Sequence, residues 1–368
     1  MKLKFVYLGS VIALLGLFTA CNDEKNGNTD GGEGTLVVSL QGEYAQAPRA
    51  TDNPSVNDEQ KIFNYNVYVC DKGSGRVEHK TTFDPSDPDN PNTEIITGLK
   101  FGDKKIVVIA NIPDEFPTNI ANYSEFNTIQ VRLEKQRPDL RATKGLIMSG
   151  ESEVRINADH TVDSPLPVKI KISRVVAKVM LKSITISPAA EYPGTFTLKG
   201  VSIQKAKPFS TVGPTTLTPA LINSRHWGGV HGSSSDVPNI TGVNNFLLDN
   251  FTTTPPIDQK LDCTNYFYVF PNAITGQETL LTISGVYTYQ GVSTTFYYPF
   301  RINDLASSTG GNSTDGQLIK RNHIYHLNVK LMKVGNGSKD PDEPDTGSAE
   351  ITIEQEPWEM TIVQNVEW

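Results

Sequence analysis

The sequence predicts an all-β protein of two tandem domains, followed by a strand-like extension at the C-terminus. Three observations carry this. The 368 residues are 37% hydrophobic, with 29 Gly and 23 Pro, a turn-rich composition that suits short strands better than helices. Stretches of about five to ten residues alternate apolar and polar side chains with period two. The length suits two domains of ordinary size. A net charge of −8 argues against nucleic acid or an anionic membrane surface as partner. Of the three cysteines, Cys21 lies at the end of the N-terminal apolar segment. Cys70 and Cys263 are far apart in the chain, and a disulfide between them is not expected.

Taken in order, Lys2 and Lys4 precede an apolar run from Phe5 to Phe18. That run is short of the ~20 residues a spanning helix needs, so it reads as a secretory signal peptide. It closes in Leu17-Phe18-Thr19-Ala20-Cys21. Small residues before a cysteine resemble the bacterial lipobox, which implies acylation of Cys21. Asn22 to Gly34 is polar and glycine-rich, a tether.

Gly34 to Ala50 is the stretch the rest is organised around. Leu36, Val38 and Leu40 fall on one face of a half-buried strand, Thr35, Val37 and Ser39 on the other. The alternation then fades into Pro48-Arg49-Ala50 and the polar run TDNPSVNDEQ. Here a strand sits between an anchor and an exposed, cleavable segment.

In the first domain, Phe63 to Cys70 and Arg76 to Phe83 read as a hairpin around Asp71–Gly75. Phe83 to Asn92 is a Pro/Asp loop without the glycine and glutamate of a calcium loop. Lys105 to Ala110 is a continuous apolar run, hence a central strand. Phe126, Ile129 and Leu133 have helical spacing and predict a short helix over Ser124 to Gln136. Leu146 to Gly150 is strand-like, and Val168 to Leu181 reads as one long strand.

The second domain follows without a linker. Phe196 to Ile203, Tyr266 to Phe270, Leu280 to Ser284, Thr294 to Tyr298 and His323 to Leu331 are strands. Pro208 to Pro256 reads as long loops with short strands. His226 and His231 sit among glycines that oppose a helix, and no acidic or thiol ligand lies near. A loop is therefore favoured over a metal site. Gly335 to Ser348 is acidic, rich in Pro and Gly and without apolar anchors, so it reads as a linker. Beyond it Ile351 and Ile353 share a face, Pro357 interrupts, and Trp358, Met360 and Ile362 resume.

Ile109-Ala110-Asn111, Leu146-Ile-Met-Ser-Gly150, Ser173-Arg-Val-Val-Ala-Lys-Val179 and the chain end ITIEQEPWEMTIVQNVEW resemble the fimbrillin family, subunits of type V pili. The resemblance runs from about Gly34 to Trp368 and lies in the order of these segments behind a lipobox. It implies two tandem Greek-key, transthyretin-like β-sandwich domains with a C-terminal strand extension. Expected boundaries are 1–21 for the signal peptide and lipobox, and 22–49 for the tether and removable strand. The domains are 50–182 and 183–334, and the linker and donor-strand tail 335–368.

No nucleophile elbow, phosphate loop, HExxH or CxxC is present, so no enzyme and no cofactor are expected. The expected function is a structural fimbrial subunit supporting adhesion. It would be exported as an outer-membrane lipoprotein on Cys21 and cut between Arg49 and Ala50 by an Arg-specific protease. The Leu36, Val38 and Leu40 strand would leave. Ile351, Ile353, Trp358, Met360 and Ile362 of another copy would then fill the vacated groove. Partners are further copies and accessory fimbrial subunits. The alternatives are an accessory or anchor subunit, which keeps its lipid, and a glycan-binding surface lipoprotein using Trp227 and nearby aromatics.

Overall fold

A computed structural model describes residues 31–42, 58–83, 94–213, 226–229, 245–272, 278–302, 319–342 and 349–358. The chain is almost all β, with sheets stacked as sandwiches. In the N-terminal half the strands are β1 (Glu33–Gly42), β2 (Tyr65–Asp71), β3 (Val77–Phe83), β4 (Glu94–Lys100), β5 (Gly102–Ala110), β6 (Gln130–Arg132), β7 (Met148–Ile156) and β8 (Leu166–Arg174). All but β6 belong to one sheet, in the order β3-β2-β5-β7-β8-β1-β4.

Local chemistry explains several of these elements. β2 and β3 form the expected hairpin, and the Asp71 carboxylate accepts bonds from the Ser74 N–H (2.8 Å) and hydroxyl (2.7 Å) to close its turn. β5 lies between β2 and β7, and Ile106 to Ala110 are fully buried, as a continuous apolar run requires. β7 and β8 pair only from Met148↔Arg174 to Gly150↔Ile172 and then part. This corner folds the sheet into two layers. A Cβ on Gly150 would stand 2.0 Å from the Lys171 carbonyl oxygen, so the crossing needs glycine.

The C-terminal half holds β9 (Ala177–Ile186), β10 (Thr195–Gln204), β11 (Phe209–Thr211), β12 (Leu248–Asn250), β13 (Lys260–Asp262), β14 (Tyr266–Val269), β15 (Leu280–Tyr289), β16 (Val292–Arg301), β17 (His323–Leu331) and β18 (Ala349–Pro357). One sheet runs β12-β10-β15-β16, the other β13-β9-β17-β18, with β14 also on β9. β6 pairs with β11 and ties the halves together. The halves share one feature: the first strand of each lies parallel to a later one, β1 beside β8 and β9 beside β17. A single apolar core runs through both, with the connecting Val175 and Val176 buried.

Three expectations are corrected. Ser124 to Gln136 is not a helix but two 3₁₀ turns, Tyr123–Asn127 and Leu133–Gln136, flanking β6. Phe126, Ile129 and Leu133 are all buried, so their spacing reported burial. The β-branched Thr128, Ile129 and Val131 and the pairing of β6 with β11 decided the backbone. Val168 to Leu181 is not one strand: it divides at Arg174 and Ala177 into β8 and β9, in different sheets. The linker from Gly335 is tied down as far as Asp342. Ser338 exchanges two 2.9 Å backbone bonds with Tyr297, the Pro341 carbonyl accepts the Thr282 hydroxyl at 2.7 Å, and Gly335 packs on Tyr287 and Tyr192.

Cys70 and Cys263 are both free and buried, and burial pushes their thiols up to about 12 and about 11. In a chain carrying Cys21→Ser, neither should react with an aromatic disulfide reagent at pH 8 while folded. Both should titrate in denaturant. Absorbance of the released thiolate is the measurement, and prompt native reactivity would contradict this placement.

Candidate functional site

The residues singled out in the sequence fall at two places. The first is β1. It is an inner strand, parallel to β8 from Leu36↔Leu166 to Gly42↔Ile172 and antiparallel to β4 from Glu33↔Lys100 to Val38↔Glu94. A bulge lies between Gly34 and Leu36, where the Thr35 N–H donates to the His160 carbonyl at 2.8 Å. Leu36, Val38 and Leu40 enter the core with exposures of 0%, 0% and 5%. The strand is more than half-buried, which corrects the expectation: Thr35 and Val37 on the opposite face are also buried. Alternation alone cannot reveal this, because it marks the apolar face and not what covers the other.

The second is the tail. β18 is an edge strand paired along its whole length with β17 of the same chain, from Leu331↔Ala349 to His323↔Pro357. Ile353 is buried and Ile351 partly so, while Glu350, Thr352 and Glu354 are exposed, in keeping with the expected alternation. The Lys330–Glu350 ion pair (3.8 Å) and the hydrogen bond between His326 Nε2 and Glu356 (2.7 Å) lie on the exposed side and add little. The tail is therefore docked on its own domain. Residues 343–348 alone separate the tied-down Asp342 from β18. Such a segment spans roughly 20 Å extended, at ~3.3 Å per residue.

Trp358 follows β18 and is 2% exposed. Its N–H donates to the Asn322 carbonyl at 2.9 Å, and its own carbonyl accepts from Arg174 Nη1 at 3.1 Å. The Arg174 guanidinium lies 4.1 Å over the indole, and Tyr268 stacks on it with centroids 5.8 Å apart. Arg174 is wholly buried, and desolvation pulls its pKa down to about 10 against the pull of Glu59 and Tyr268. Lys178, beside it, is also lowered by burial, with Glu59 opposing. Glu59 Oε1 accepts from Lys178 Nζ at 2.7 Å and from the Tyr268 hydroxyl at 2.5 Å, and the Glu59 carbonyl accepts from Arg174 Nε at 3.2 Å.

Sequence reasoning missed this polar knot. Its signal was present: Arg174 and Lys178 are charges four apart inside the otherwise apolar Val175-Val176-Ala177 and Val179-Met180-Leu181. Glu59 and Tyr268 carry no local signal, because their partners lie more than a hundred residues away.

The remaining residues are placed as follows. Arg141, which repeats the Arg-Ala pattern of Arg49-Ala50, sits on a short helix, Arg141–Lys144. Its guanidinium bonds the Tyr266 hydroxyl at 2.5 Å and lies 3.7 Å from Glu59. Trp227 is buried against Phe209 and Phe246 and offers no exposed ring to a sugar. Cys21, Arg49, Ala50, Met360 and Ile362 lie outside the described residues.

Residues 34–165 match the family model described as major fimbrial subunit protein (FimA). Residues 236–358 match that of the FimA-like major fimbrial subunit protein, C-terminal domain. Together they span well over half of the chain. A comparison with curated proteins finds no match. Among solved structures the fold is similar to a protein from Bacteroides eggerthii assigned to cell adhesion, with 21% identity and a TM-score of 0.63 over 90% of this chain and 98% of that one. It is similar to a fimbrilin from Porphyromonas gingivalis at 18% identity and TM-score 0.61, covering 89% and 98% of the two chains. A cell-adhesion assignment also goes with a Parabacteroides distasonis structure at 18% identity and TM-score 0.59, covering 89% of this chain and all of that one.

Proposed function

Because this chain belongs to the FimA family of major fimbrial subunits, structural proteins of the cell-surface fimbrium and not enzymes, we propose that it polymerises by exchanging strands between copies. It is exported as a lipoprotein precursor on Cys21 and held at the outer membrane. An Arg-specific protease cuts between Arg49 and Ala50, and the anchor leaves with Leu36, Val38 and Leu40. The tail of the next copy, carrying Ile351, Ile353, Trp358, Met360 and Ile362, then enters between β4 and β8. Accessory fimbrial subunits complete the filament, which supports adhesion.

The observation that carries this reading is the difference between the two strands. β1 has a neighbour on each side, β8 and β4, while β18 has only β17. A tail that leaves the edge of β17 for the β1 slot exchanges one ladder for two. Each added backbone bond contributes about 0.5–1.5 kcal/mol net. The slot it fills would otherwise leave unpaired groups and the bare pocket of Leu36 and Val38.

N-terminal sequencing of protein sheared from the cell surface tests it. A start at Ala50 is expected, and a blocked, acylated Cys21 in assembled filaments would overturn cleavage and favour the anchor-subunit reading. Ile353→Asp is expected to abolish filament assembly and lower the monomer melting temperature by only a few degrees, since an edge strand is lost and the two sandwiches stay. Electron microscopy and thermal melts on one preparation check this. Whole-chain unfolding would make the tail an ordinary part of the fold.

A further inference from the structure

Three parts of the chain that are far apart in sequence meet at the knot around Trp358. Glu59 belongs to the segment that follows Arg49, Arg174 and Lys178 flank the junction between β8 and β9, and Trp358 lies in the tail just after β18. The Glu59 carboxylate meets Lys178 at 2.7 Å and Arg141 at 3.7 Å, while Arg174, above the indole, bonds the Glu59 backbone carbonyl. Glu59 carries the counter-charge that lets Arg174 and Lys178 stay buried.

This knot is not fully satisfied. Glu59 Oε2 and Arg174 Nη2 are buried without a hydrogen-bond partner. Buried charges with unmade bonds hold well only while every partner is present, because losing one leaves the others desolvated and uncompensated. Apolar packing, in contrast, weakens gradually. The attachment at Trp358 is thus sensitive to a single distant residue.

We infer that Glu59 is the keystone of a latch that holds β18 and Trp358 on their own domain, and that displacing Glu59 releases the tail. In the uncut chain, residues before Glu59 lead back into β1. After a cut at Arg49, Glu59 stands close to a free N-terminus. On the processing step proposed above, the latch would link removal of β1 to freeing of the tail. The latch itself does not need that step.

The test is amide hydrogen exchange on the full, uncut chain carrying Glu59→Gln. Exchange across β18 is expected to rise about ten-fold or more, with β10 and β15 unchanged. Unchanged β18 exchange in the folded variant would overturn the latch, and so would an equal rise in β10 and β15, which would make Glu59 a plain core residue. Trp358→Leu is the reciprocal arm, and it decides if the Glu59 variant does not fold. There, exchange at residues 58–61 should rise while β10 and β15 stay as they were, and unchanged exchange at 58–61 would overturn the latch. Filament assembly is scored separately, on the same variant after processing. A latch that opens in the processed chain without filaments forming would count against strand exchange and leave the latch standing.

Discussion

A precursor carrying Val38→Asp is expected not to reach this fold. Val38 is fully buried on an inner strand, paired to Val168 on β8 and Glu94 on β4. The substitution removes a buried aliphatic side chain and places a carboxylate in the apolar core. A loss of more than about 4 kcal/mol is expected, a large share of the stability of an ordinary domain. Ser39→Asp is the control, because Ser39 lies on the opposite face, is only partly buried and neighbours Lys169 on β8. Circular dichroism melts of both variants check this. A Val38→Asp chain melting like the parent would mean β1 is dispensable before cleavage. Leu36, Val38 and Leu40 together contribute roughly 5–9 kcal/mol of gross transfer free energy, at about 1.5–3 kcal/mol per side chain before ordering costs. A chain that has lost β1 therefore needs a replacement strand.

Arg49→Ala should leave a full-length precursor that forms no filaments, because β1 then stays in its slot and blocks the incoming strand. On the proposed strand exchange the effect is close to all-or-none, since each added copy would need a vacated groove. Arg141→Ala should leave processing unchanged: the Arg141 side chain is held by Tyr266 and lies beside Glu59, and a protease must extract the side chain it recognises. Immunoblots of precursor and mature chain, beside filament counts, give the measurement. Filaments of normal length from Arg49→Ala would exclude cleavage at that bond as the trigger.

Much of this architecture is legible in the residues. Period-two alternation marked β1, β2, β17 and β18, and the unbroken apolar run marked β5 as central, because in a strand side-chain direction follows sequence parity. Parity also separated Ile351 and Ile353 from Glu350 and Thr352. The family order of segments placed Arg174 and Lys178 in a motif without saying what they do.

Local sequence by itself determined most of the longer strands and which face of each is apolar, since both depend on neighbours a few residues away, while β4 and β6 escaped it. Tertiary structure alone decided what lies beside each strand. It buried the second face of β1, broke Val168 to Leu181 between two sheets, and laid residues 335–342 across Tyr297 and Thr282. It also put the tail on β17 and gathered Glu59, Arg174, Lys178 and Tyr268 around Trp358. Those outcomes depend on which distant groups can satisfy a bare sheet edge or a buried charge. Satisfying such groups is a property of the whole packed chain, and no window of neighbouring residues contains it.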